Sequence, residues 1–440
     1  LEDIRQAAHA IDPRTPVGIE GTQMPSAFGG YDLWRLSQVL DWVEPYDIGN
    51  AREIFGSFMP GKPVMTTVFE NDAEHARRRL WHLLLEGDRG CIVWWSEDCI
   101  DWKSDDYALT AKGKALAPVL KEMTAPLAQI FLRARREYDP IAIHYSQPSI
   151  QVDWLVESTV DGSTWLRRFS SYEAKQNLMA KVRNSWLKAF QDLGYTPRFV
   201  ASEQLERGNL FTNQNGVLVL PQSYALSAKE TAAIQEFAKF KQDREVAHEI
   251  YADGTPGFFD ERGRLRAENS LENLFPVSTS SEESHVVLAN SSAQPSRKSD
   301  IARFGGDRLK SGPDELTAWI QTHTRHLARP VTLPPESRVR IHRYALGTAR
   351  LVAFERNVDY HMSEDLKPAG GNEYLEKPID LEAKLDQSAH VYDLRTQKYL
   401  SESDKINFRL DPWQPALFAL LRKKIPIDKL ISSLQEATFN

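Results

Sequence analysis

The side chains best suited to chemistry are carboxylates and aromatics that close short apolar runs. Glu70 ends the β-branched run Val64-Met65-Thr66-Thr67-Val68-Phe69 and precedes Asn71 and a helical pattern. A carboxylate held at the end of a rigid strand can stay ionised and fixed, as nucleophilic or acid–base work requires. The same position also suits a carboxylate favoured only by the positive end of the following helix dipole. Tyr46 and Asp47 close a second run, Glu20 a third, and Trp94 and Trp95 a fourth, with Glu97 and Asp98 just beyond. Alternation along a strand turns one of the two tryptophans toward a strand-end ligand, and Trp95 is the one assigned to it. The other packs inward. Glu97 and Asp98 offer acceptors for ligand hydroxyls, or are simply solvated.

Other chemistries find little support. The 11 histidines are scattered, with no HExxH pattern and no clustered cysteines, so no metal site is expected. His323 and His326 share an i, i+3 spacing on a helical pattern, without a nearby carboxylate, and read as structural. Only Cys91 and Cys99 are present. They bracket a strand, which holds them roughly 25 Å apart if extended, too far for a disulfide. The net charge of −7 argues against nucleic acid as a partner. The basic runs Arg77-Arg78-Arg79 and Arg133 to Arg136 fall in helical patterns and read as solvated helix faces. No apolar run reaches the ~20 residues of a membrane span. With 41% apolar residues the chain reads as soluble and globular, with several cores and no cofactor motif.

Four stretches position these residues. Residues 1–137 alternate helices with short apolar strands, at Pro16 to Ile19, Val43 to Ile48, Pro63 to Phe69 and Cys91 to Trp95, and close on a long helix from Ala115 to Tyr138. Strand–helix alternation with continuous apolar strands predicts a parallel sheet covered on both faces. Residues 138–270 repeat the alternation as a flavodoxin-like α/β domain. Its clearest strand is Gly216 to Pro221, followed by Ser227 as N-cap of a helix with Glu230 in the capping-box place. Residues 271–335 are a linker with one helix after Pro313. Residues 336–440 carry short strands and turn signals, a pattern that predicts a small β-sandwich. Ala416 to Leu421 fits either a strand or a helix. Leu1 to Ile4 read as the middle of a helix, so the chain is expected to begin inside a longer product.

This order resembles the C-terminal portion of glycoside hydrolase family 42 β-galactosidases. The likeness is carried by Ala10-Ile11-Asp12-Pro13-Arg14-Thr15-Pro16-Val17, by Val217 to Ser227 and by Pro256-Gly257-Phe258-Phe259-Asp260-Glu261. The resemblance implies strands five to eight of a (β/α)8 barrel, then a glutamine-amidotransferase-like trimerisation domain, then a β domain. It places Glu20, Tyr46, Asp47, Glu70, Trp94, Trp95 and Glu97 on the rim where such barrels build their sites. It makes Glu70 the nucleophile of a retaining β-glycosidase and the others sugar-binding groups, with Tyr46 in hydrogen-bonding reach of Glu70. The second carboxylic acid, due about 5–5.5 Å away, would follow an Asn on the fourth strand, and Glu20 does not match that pattern. The implied acid/base therefore lies upstream. The implied partners are a carbohydrate, two more copies in a homotrimer and the N-terminal half of the barrel. A β-mannosidase of the same layout is an alternative, as is a non-catalytic carbohydrate-binding or assembly protein. The amidotransferase-like stretch lacks the cysteine its look-alikes use and reads as scaffold. Nothing in the sequence fixes a compartment.

Overall fold

The structure, a computed structural model, describes residues 1–22, 24–28, 31–94, 96–161, 177–212, 216–239, 248–253, 256–268, 271, 274, 315–360 and 371–437. The first part of the chain lays down four parallel strands in sequence order. These are β1 (Gly18–Thr22), β2 (Trp42–Pro45), β3 (Met65–Val68) and β4 (Gly90–Val93). A parallel bridge from Val43 to Val64 joins the two pairs. Helices α1 (Glu2–Ile11), α2 (Leu33–Val39), α3 (Ala51–Phe58) and α4 (Ala73–Glu86) alternate with the strands.

Local chemistry sets the ends of α4. The Asp72 side chain accepts from the amides of Glu74 and His75 at one end. Gly87, at φ 101°, closes the other end in the left-handed conformation that glycine adopts without penalty. Val43 and Val64 turn toward α2 and α3, where they meet Leu33, Leu36, Ile54 and Phe55. By alternation the opposite face presents Trp42, Glu44, Met65, Thr67 and Ile92. A glycine is required at position 18, because a Cβ there would lie 2.1 Å from the Trp42 ring.

The expected long helix to Tyr138 is instead two, α5 (Ala111–Met123) and α6 (Pro126–Arg133), followed by the short strand β5 (Arg135–Arg136). Pro126 opens α6 at its first position, where its missing N–H costs nothing.

The next unit is a parallel sheet of order β7-β6-β8-β9, from β6 (Ile141–Tyr145), β7 (Arg198–Ala201), β8 (Val217–Pro221) and β9 (Glu249–Asp253). Helices α7 (Gln147–Asp161), α8 (Leu178–Asp192) and α9 (Ala228–Lys239) accompany it. Ile141, Ile143, Val217 and Val219 join the core that also holds α2 and α3. Ala142, Leu218 and Leu220 face a separate core with Ile234 and Phe237 of α9. The two parallel sheets are therefore fused through one continuous apolar core. Helix α10 (Glu315–His323) packs on α8. It ends at His323, so His326 lies beyond it and the expected shared-helix spacing fails. Most of the expected linker, including the serine-rich stretch 278–299, lies outside the described residues.

The last part is one seven-stranded antiparallel sheet of order β10-β13-β15-β12-β11-β5, with β14 on β13, and it folds over so that Phe354 on β12 packs 4.6 Å from Phe408 on β14, although these strands are not neighbours. Its strands are β10 (Val331–Thr332), β11 (Val339–Leu346), β12 (Ala349–Arg356), β13 (Ile379–Asp393), β14 (Lys398–Leu410) and β15 (Ala416–Leu421). Strands β13 and β14 run 15 and 13 residues. They read as shorter pieces because exposed polar residues such as Lys384, Asp386 and Lys405 interrupt the apolar pattern. Strand β5 pairs with β11, and the Trp81 and Leu85 side chains of α4 share a core with Tyr344, Leu351 and the C-terminal helix α11 (Ile427–Glu436). No helix among the described residues is long and apolar enough to cross a membrane.

Candidate active site

Glu70 sits between the end of β3 and the Asp72 cap of α4, half-buried. One oxygen, Oε2, accepts the Phe69 amide at 3.0 Å. Two turns along α4, the buried Arg79 guanidinium is ion-paired with Asp47 at 2.7 Å. Burial pushes the Glu70 carboxyl above the ordinary glutamate range, and the positive charges of Arg79 and Arg78 oppose that rise.

Phe69 draws the aromatic residues together. Its ring lies 5.8 Å from Trp94, whose amide donates to Val68 O at 2.9 Å. It also packs against Met24 and Ile48, as Tyr46 does. Glu70 and Trp94 thus flank Phe69, and Tyr46 borders the same small apolar cluster. Among the described residues no hydrogen bond joins Tyr46 to Glu70. The Tyr46 hydroxyl instead lies over Gly21, where a Cβ would stand 3.2 Å from it. Asp47 is buried against Arg79 and so acts on Glu70 indirectly, by fixing that cation. Glu97 is exposed, and its carbonyl accepts the Trp102 indole N–H at 2.9 Å. Trp95 lies outside the described residues.

Glu44 did not stand out in the sequence. It is fully buried on β2. One oxygen accepts the Gly21 amide at 2.5 Å, and the other accepts the Thr67 hydroxyl. It therefore clamps β1 and β3 to β2. Burial raises its pKa, and the charge of Glu20, exposed on β1, adds to the rise. The only available signal was a charged residue inside a strand too short to show a period.

In the arginine runs Arg135 is exposed as expected, but Arg78, Arg79 and Arg136 are held in ion pairs rather than solvated. Arg78 and Arg79 are 8% and 4% exposed. Arg78 pairs with Glu376 at 3.0 Å. Arg136 reaches Glu86 at 2.7 Å. Their partners lie up to 298 residues away in the chain, so no local pattern could reveal them.

Behind α4, His82, Glu86 and Glu355 bring potential metal-ligating atoms within 4.8 Å of one another. The Arg340 guanidinium fills the cationic place among them, 3.2 Å from Glu86 and 3.0 Å from the His82 ring. The His342 Nε2–H donates to Glu355 at 2.8 Å. The residues present fit a guanidinium better than a metal ion.

In the second parallel sheet, His144 contacts Ser223 at 2.9 Å and Glu230 at 3.2 Å. Ser223 follows Gln222, which has φ 48°. All three side chains of this chain of contacts are buried, which closes Ser223 to a substrate. Both cysteines lie in the first unit and are free thiols. Burial pushes the Cys91 thiol up to about 11.

No protein-family model matches the chain, and no curated protein does. Solved structures do. A β-galactosidase from Bacillus circulans sp. alkalophilus superposes with a TM-score of 0.61 at 11% identity, over 94% of this chain and 65% of its own. Gan42B, a glycoside hydrolase family 42 β-galactosidase of G. stearothermophilus, gives 0.58 at 11% identity, over 94% and 65%. A family 42 exo-carrageenase from Bacteroides ovatus gives 0.52 at 12% identity, over 96% and 54%. The chain spans between about half and two thirds of these proteins' lengths. At such identities the likeness establishes the fold: parallel α/β sheets followed by an antiparallel sheet, as in part of the family 42 architecture.

Proposed function

We propose that this chain is the C-terminal part of a retaining glycoside hydrolase that cleaves β-galactosides or related β-hexosides. In this reading β1 to β4 are strands five to eight of a (β/α)8 barrel. The second parallel sheet is a trimerisation domain of a homotrimer, and the upstream half of the barrel supplies the acid/base. The observation that carries the reading is Glu70: a carboxylate at the end of a parallel strand, beside a buried arginine and an aromatic cluster.

The chemistry assigned to it is double displacement. The Phe69 amide holds Oε2 of Glu70, and the carboxylate attacks the anomeric carbon as the glycosidic C–O bond breaks. The upstream acid protonates the departing oxygen. Water, deprotonated by the same residue, then releases the sugar from Glu70. Arg79 favours the ionised nucleophile against its burial, while Trp95 is assigned to the apolar face of the sugar ring and Trp94 to packing on Phe69.

Replacing Glu70 with Gln in the full-length protein tests this. Hydrolysis of aryl β-galactosides should fall by at least about 1,000-fold, as expected for loss of a nucleophile. Unchanged turnover would remove Glu70 from the role.

A further inference from the structure

The loop that leaves β4 carries an exposed aromatic pair. Trp102 and Tyr107 are each 61% exposed. Their rings meet edge to face at 5.9 Å. Large aromatics left this open in a folded chain are unusual, and such surfaces mark binding sites.

The pair is held rigidly. Residues 100 and 109 form an antiparallel bridge, and the Asp101 amide donates to Ala108 O at 2.8 Å. Ser104 donates to Asp101 O at 2.8 Å and accepts from the Ala108 amide at 3.0 Å. The Trp102 indole N–H donates to Glu97 O at 2.9 Å, which fixes the ring plane. Tyr107 stands at φ 49°, in the left-handed region that a bulky side chain adopts at a cost. Glycine or asparagine would relieve that cost, and the exposed tyrosine recovers little of it by burial.

The surroundings choose the occupant. Glu97, Asp98, Asp101, Asp105 and Asp106 are exposed along the same loop, with Lys103 among them and Lys112 turned to the Trp94 carbonyl. Such a surface repels anionic chains and offers acceptors to hydroxyl groups. The loop is also continuous with the candidate site. Trp94 packs on Phe69 beside Glu70, and the eight residues from Trp94 to Trp102 span at most about 28 Å.

We infer that Trp102 and Tyr107 form a stacking platform for a neutral oligosaccharide, binding sugar units remote from the bond cleaved. The inference rests on the glycosidase reading for its substrate class. An aromatic plane takes the apolar C–H face of a sugar, and the flanking carboxylates take its hydroxyls. The platform favours long neutral chains over both single sugars and sulfated ones.

The test is a titration of the chain, followed by NMR or tryptophan fluorescence, with three probes. These are a long neutral β-galacto-oligosaccharide, galactose, and a sulfated galacto-oligosaccharide of matched length. Wild type should bind the long neutral chain more tightly than either other probe. Trp102→Ala and Tyr107→Ala should each bind it at least about fivefold more weakly, with galactose binding unchanged. Both positions are exposed, so both variants should keep the wild-type circular dichroism. Four results would each overturn the platform: unchanged affinity in both variants, equal affinity for the sulfated chain, no binding by wild type, or a Trp102→Ala change in sedimentation showing that a second copy covers the pair. The Glu70 assignment fails separately, through surviving hydrolysis in Glu70→Gln, and leaves this titration readable.

Discussion

Replacing Arg340 with Met should loosen all three units at once. Arg340 lies on β11 and is 5% exposed. Its guanidinium donates to Glu86 at 3.2 Å on α4, to Gln191 at 3.0 Å on α8 and to Asn357 at 3.0 Å just past β12. One cation thus ties the first parallel unit, the second and the antiparallel sheet. The cluster balances Arg52, Arg136 and Arg340 against Glu86, Asp88 and Glu355, with His82 and His342 also buried. Methionine keeps much of the stem and deletes the charge, leaving one carboxylate uncompensated. Breaking a buried pair from one side costs about 3–5 kcal/mol. With a urea slope of about 3 kcal/mol/M or more for a chain of this size, a loss of about 4 kcal/mol lowers the midpoint by up to about 1.3 M. The assay is urea unfolding at pH 7, followed by fluorescence and circular dichroism together. The loss should shrink below pH ~6, because Arg340 helps to keep His82 neutral and its removal lets that ring take up the missing charge. A midpoint unchanged at pH 7, or a wild type whose units unfold in separate transitions, would refute the reasoning.

The wild type should lose stability on acidification before its carboxylates titrate. Burial holds His82 well below its ordinary pKa and lowers His342 too. The unfolded chain therefore takes up protons near pH 6.5 that the folded chain refuses. Stability is complete above that pH and falls below it, by at most about 1.4 kcal/mol per pH unit for each ring. A flat unfolding midpoint between pH 7 and 5.5 would contradict this. For Glu86 and Glu355 burial alone would raise the pKa, but Arg136, Arg52 and Arg340 in the first case, and His82 and His342 in the second, hold it well below. Their contribution is lost in turn as pH falls below the unfolded value near 4.5. On the proposed function, Arg79→Met should raise the Glu70 pKa further and move the acid limb of the pH–rate profile upward, whereas Arg79→Lys should largely restore it. An acid limb indifferent to both would show that Arg79 does not govern Glu70.

What the sequence revealed follows from the range of the forces involved. The run Val217–Pro221 announces a buried strand because it is apolar throughout, as a strand covered on both faces tends to be, and Met65–Val68 announces one by its β-branched residues. The Ser227–Glu230 capping box is legible because it is local: Ser227 N donates to Glu230 at 2.6 Å and Glu230 N to Ser227 at 3.1 Å. Glu70 could be picked out as the first polar residue after such a strand. Glu44 could not, since its partners Gly21 and Thr67 come from neighbouring strands. Arg78, Arg79 and Arg136 were misread for the same reason at greater distance. A helix periodicity says which residues share a face and says nothing about what covers that face. Here α4 is enclosed between its own strands, helices α5 and α6 and the antiparallel sheet, so nearly its whole circumference is buried.

That enclosure bears on the site itself. The Arg79 guanidinium lies 4.7 Å over the Tyr360 ring, and Tyr360 stacks on His82 at 4.1 Å. Tyr360 follows β12 and belongs to the last part of the chain, so residues beyond the first four strands help to fix the cation that opposes Glu70's protonation. Asp47 holds the same guanidinium from the end of β2. A buried cation gripped from two sides cannot turn away when the charge on Glu70 changes during a reaction. Its field on the carboxylate is then part of the folded structure rather than something assembled on substrate binding, which is the condition under which fixed charges lower a barrier most. The antiparallel sheet thus acts on the candidate nucleophile through Tyr360 and Arg79, without touching it.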